Sequence, residues 1–105
     1  MPDKNKKRTA HQALVHALLD GPGTATPDLR DRAFNNVEVP ESLHQLIDKV
    51  AVRPTQVNDS DFAAAKASGY SEDQIFELVI CAAVGQASRQ YDAGLNALAE
   101  ASHAS

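Results

Sequence analysis

This chain has no tryptophan and one cysteine, and Phe and Tyr together make up only 5% of its 105 residues. A core without large aromatic side chains has to be built from Ala, Leu, Val and Ile, which suits close helix packing better than a sheet. The lone thiol, Cys81, excludes an intrachain disulfide. No apolar segment of signal type follows the basic start, and the longest apolar run is too short to span a bilayer. These absences predict a soluble protein of a reducing, cytoplasmic compartment. Basic excess is missing too: ten basic residues face fourteen acidic ones, for a net charge of −4. A nucleic-acid partner would call for a basic patch, so none is expected. The one basic cluster, Lys4-Asn5-Lys6-Lys7-Arg8, reads as part of a solvated, disordered tail over residues 1–8. Strand signals are absent as well, with no period-two alternation and no Asn-Gly or Asp-Gly hairpin turn.

What is present is helical punctuation. Thr9 is placed to cap a first helix to about Leu19, which Gly21-Pro22-Gly23 stops. Thr26-Pro27-Asp28 reads as N-cap, first-turn proline and acidic first turn of a second helix to about Phe34, with Asn35-Asn36 as its turn. Pro40 starts a third, in which Leu43, Leu46, Ile47 and Val50 fall at i, i+3, i+4 and i+7. Pro54 ends it, because the residue before a proline avoids the helical region. Asn58 caps an alanine-rich fourth helix, which Gly69 closes. The pattern predicts an all-α protein: a compact domain of about five helices over residues 9–101, with a flexible tail at 102–105.

The fifth helix is the most informative. Ser71 and Gln74 make a capping box, and Tyr70 with Ile75 makes the hydrophobic staple around it. From Ile75 to Val84, Glu77 is the only side chain that is neither apolar nor cysteine. A helix apolar on all sides has to be covered on nearly all sides, and four short helices cover only part of it. Small residues Ala83, Ala87 and Gly94 would let another helix approach closely. The long helix, 72–100, is therefore expected to build a homo-oligomer.

The stretch NDSDFAAAKASGYSEDQIFELVICAAVGQASRQYDAGL, with PESLHQLIDKVAVRPTQV before it, resembles the carboxymuconolactone decarboxylase and alkylhydroperoxidase D-like family. The likeness runs from about Pro40 to Leu98. It implies that family's helical scaffold, and makes trimeric units one form of the homo-oligomer, dimer to hexamer, that the long helix is expected to build. Redox members of the family carry a Cys-x-x-Cys and a following His, through which a thiolate attacks peroxide or disulfide. Here Glu77 matches the family's Glu-Leu-Val glutamate, but the thiol places fall at about Arg89 and Asp92 and the His place near Asn96. Dithiol peroxidase chemistry is not expected.

The remaining candidates are few. Glu77, a carboxylate within an apolar run, would serve as a general base if burial raised its pKa. Otherwise it is a solvent-facing or ion-paired acid, with Arg89 as one cation in view. Arg89, Tyr91 and Asp92 form the most polar patch of the long helix and could hold an anionic ligand; the plainer reading is an Arg89–Asp92 pair across one turn. His44 is weighed as a partner for Glu77. His11 and His16 are five apart and do not share a face, so no metal site is expected, nor any cofactor. Cys81 reads as a small buried hydrophobe. Two functions remain: a non-redox oligomeric structural or accessory subunit, or a small-molecule enzyme using Glu77 and Arg89 for acid–base chemistry on a lactone or carboxylate.

Overall fold

The computed structural model describes residues 2–104, and the side chains of residues 9–102. It is all-helical: α1 Pro2–Asp20, α2 Pro27–Asn35, α3 Glu41–Val52, α4 Asp59–Ala67 and α5 Glu72–Ala104, with one short 3₁₀ turn at Pro54–Gln56. No strand occurs among the described residues. At about 1.5 Å per residue, the 33 residues of α5 span about 50 Å. This one helix sets the longest dimension of the molecule, 53 Å against 29 and 20 Å.

Side-chain caps open α2, α4 and α5, while α3 starts at Pro40 without one. Ser71 Oγ accepts from the Gln74 N–H at 3.1 Å and Gln74 Oε1 accepts from the Ser71 N–H at 2.9 Å, a reciprocal box that opens α5. Thr26 Oγ1 accepts from the Leu29 N–H ahead of α2. Asn58 and Asp61 form a second box at α4, and Asp61 is held again by Lys49 of α3 at 3.0 and 3.1 Å. Backbone donation from Asn58 and then the Lys49 ammonium keep the Asp61 carboxyl below its ordinary pKa. α1 differs from expectation. It runs from Pro2 through Thr9, since the Lys, Arg, Gln and Ala residues around Thr9 are good helix formers and Pro is tolerated in a first turn. The backbone of the expected tail segments 2–8 and 102–104 belongs to α1 and α5; residues 1 and 105, and the side chains of 2–8, 103 and 104, lie outside the described residues.

The core joins three layers. Leu43, Leu46 and Ile47 of α3 meet Ile75, Leu78, Cys81 and Ala82 of α5, with Ala33 of α2 and Ala65 of α4 closing the ends. α2 and α3 carry most of the packing on α5, α4 leans on α3, and α1 touches α2 and α5 lightly. The apolar run of α5 is not wrapped on every side. Ile75, Leu78, Cys81, Ala82, Gly85 and Ser88 form one buried stripe, while Phe76, Ala83 and Ala87 stand exposed on another. Gly85 is where α2 and α5 come closest: a Cβ there would lie 1.9 Å from the Phe34 carbonyl oxygen. A close helix approach within the chain is made through Gly85. Gly94 has open space around its Cβ position. No helix among the described residues is long and apolar enough to cross a membrane.

Candidate functional site

Glu77 does not sit as a free acid in a pocket. Its carboxylate holds the loop between α1 and α2. The Thr24 N–H donates to Oε1 and Oε2 at 2.8 and 3.0 Å, the Ala25 N–H donates to Oε2 at 2.7 Å, and the Thr24 hydroxyl adds a bond of 3.1 Å. Gly23 completes the fit, since a Cβ there would come within 2.8 Å of Oε1. The pKa of Glu77 moves opposite to the expectation. Donation from the Ala25 and then the Thr24 backbone holds it below its ordinary value, and Arg30 adds to this. A stabilised carboxylate with its oxygens bonded is a poor general base near neutral pH.

Arg89 is similarly occupied. It donates to the Phe34 carbonyl at 2.7 Å and to Gln86 Oε1 at 2.9 Å, so it satisfies a carbonyl at the end of α2. The Arg89–Asp92 pair expected from their spacing is replaced by this cap, because the α2 terminus lies within reach of the guanidinium. His44 is exposed on α3 and borders a shallow recess with Asn36, Glu38, Val39 and Glu41. The oxygens of Glu77 go to Thr24 and Ala25, so no His44–Glu77 dyad forms.

Cys81 is fully buried, and burial pushes its thiol up to about 11 despite the nearby Arg30 charge. A thiol in that state is unreactive in the native protein. Labelling by an aromatic disulfide reagent should therefore be slow in buffer and complete in denaturant. Prompt labelling of the native chain would show that Cys81 is accessible.

The chemistry-bearing side chains that do converge lie between α1 and α5. His11 Nε2 and Ser88 Oγ are 2.9 Å apart, and the His11 ring lies against Tyr91 with centroids 5.5 Å apart. One turn along α1, His16 Nδ1 meets Asp20 at 2.9 Å. Together with Val15, Leu19, Phe34 and Asp92 these groups line a cleft of about 610 Å³. Tyr91 and Asp92 were legible as a polar patch. His11 and Ser88 were not, because they are 77 residues apart. One signal existed: Cys81, Gly85 and Ser88, small residues at i, i+4 and i+7, mark the face of α5 that other helices approach. Among the described residues no group of three or more His, Cys, Asp or Glu side chains is arranged to hold a metal ion.

No protein-family model, curated protein or solved structure matches this chain.

Proposed function

We propose that the chain is a non-redox helical subunit that associates with copies of itself and serves a structural or accessory role. The carrying observation is Phe76, which is 66% exposed on the outer face of α5. It borders a groove of about 410 Å³ with Phe62, Ile75 and Val79, flanked by Lys66 of α4 and Glu72 of α5, which pair with each other. Such a face suits a second copy. It presents a protruding ring beside an apolar hollow, and its edge carries one charge of each sign. A two-fold axis would seat each Phe76 by the other hollow and let Lys66 and Glu72 pair crosswise. The same side of α5 continues through Ala83 and Ala87, beside exposed Val52, lengthening the patch.

On this reading the chain keeps a scaffold like that of the carboxymuconolactone decarboxylase and alkylhydroperoxidase D-like family without its thiol pair, and a single buried thiol suits a cytoplasmic setting. The acid–base alternative has less behind it, since Glu77 and Arg89 are both engaged in holding the fold together. Light scattering at micromolar concentration should find an oligomer. Phe76→Glu, or Ala87→Glu further along the same face, should dissociate it and lower a melting temperature that depends on protein concentration. A monomeric wild-type chain at that concentration would sink the proposal.

A further inference from the structure

We infer that the cleft between α1 and α5 is a binding site for a small primary amine, its ammonium group held by Ser88, Tyr91 and Asp92 and its apolar body by Val15, Leu19 and Phe34. The cleft has ligand size: about 610 Å³ lies within the few hundred to one thousand Å³ usual for small-molecule sites. Its walls are partly apolar, and α1 borders the space without filling it. Val15 and Leu19 remain half-buried there.

The sign of the ligand follows from the lining. Asp20 and Asp92 are its carboxylates, and among the described side chains no Lys or Arg lines it. Among the described lining residues the basic groups are His11 and His16, and His16 already faces Asp20. An anionic ligand would be repelled by Asp92 and Asp20, whereas a cation would be attracted. Tyr91 offers an aromatic face to that cation, with its other neighbour, His11, already in place.

Donor and acceptor count then selects a primary amine over a quaternary one. Ser88 is 8% exposed at the floor of the cleft. When its hydroxyl donates to His11 Nε2, in the tautomer protonated on Nδ1, its oxygen still accepts. Asp92 lies one turn further along the same face of α5, as i,i+4 spacing dictates. Both groups take N–H donors, and a primary ammonium carries three.

The test uses the full chain and three probes with the same phenyl body: phenethylamine, 2-phenylethanol and 3-phenylpropionate. Amide chemical shifts would be followed in a titration. Phenethylamine should move resonances of residues 11–20 and 88–92 and bind roughly tenfold more tightly than the alcohol, the increment of one good charged contact. Asp92 is exposed, so Asp92→Asn should leave the fold intact and remove most of that preference. Ser88→Ala should weaken binding as well, while His44→Ala, outside the cleft, should not. The dissociated Phe76→Glu chain should bind as the wild type does, which separates this result from the fate of the self-association proposal. Equal affinity for amine and alcohol, tighter binding of the acid, or no shifts at millimolar amine in a folded chain would overturn the inference.

Discussion

Gly85→Ala should destabilise this protein by about 3 kcal/mol or more, although alanine is the better helix former. In an open helix the same change stabilises by roughly 0.5–1 kcal/mol, because glycine loses more backbone freedom on folding. Here the added methyl would stand 1.9 Å from the Phe34 carbonyl oxygen and 2.7 Å from its carbon. Both atoms are backbone, so no side chain can rotate away, and α2 has to lift off α5. Lifting it weakens the Arg89–Phe34 bond and opens the packing around Ala33. Overpacking of a fitted core costs about 1–3 kcal/mol, and a backbone clash between two helices belongs at or above that limit. At about 4–8 °C per kcal/mol for a domain near this size, the melting temperature should fall by roughly 12 °C or more. Gly94→Ala is the matched control: nothing lies within 4 Å of its Cβ position. It should be neutral or slightly stabilising. A Gly85→Ala chain as stable as wild type would mean that α2 does not pack as described.

The contrast between these two glycines shows what was legible in the sequence. Both sit in the same long helix, each in a row of small residues, Cys81 and Ser88 with the one and Ala87 and Ala97 with the other. What separates them is α2, some fifty residues earlier in the chain. Devices that act across three or four residues could be read directly: the Ser71–Gln74 box, the Asn58 cap, Thr26 before Pro27, and the stripe Leu43, Leu46 and Ile47. Each depends on helix periodicity and a neighbouring backbone group. The partners of Glu77, Arg89 and His11 depend on which loop or helix end arrives from elsewhere. The apolar run Ile75–Val84 was ambiguous for the same reason. Composition identifies a helix that must be covered; only the placement of α2, α3 and α4 decides that Leu78 and Cys81 lie inside and Phe76 outside.

Removing Glu77 should have the second large effect, and its pH dependence identifies the cause. Glu77→Ala would leave the Thr24 and Ala25 N–H groups and the Thr24 hydroxyl without their acceptor. It would also remove a carboxylate that attracts Arg30, which is 5% exposed and whose Nε has no partner. Ala25 is buried, and a buried donor stripped of its acceptor costs about 1–3 kcal/mol, whereas water can reach the exposed Thr24. With the lost attraction to buried Arg30 added, a loss of roughly 3 kcal/mol is expected. Glu77→Gln keeps an acceptor and the volume but loses the charge; roughly half that cost is expected. The folded pKa of Glu77 lies below its ordinary value of 4.5. Its ionised form therefore favours the native state, and that contribution is whole above pH 4.5 and is lost as pH falls through the lower folded value. Denaturant titrations across pH 7 to 3 should show wild-type stability falling more steeply over this acid window than that of Glu77→Gln. Asp61, also held below its ordinary value, contributes equally to both curves and cancels in the difference. Parallel curves would show that the Glu77 carboxylate is not what anchors the α1–α2 loop. A convergence of the two curves toward low pH would assign Glu77 to holding that loop.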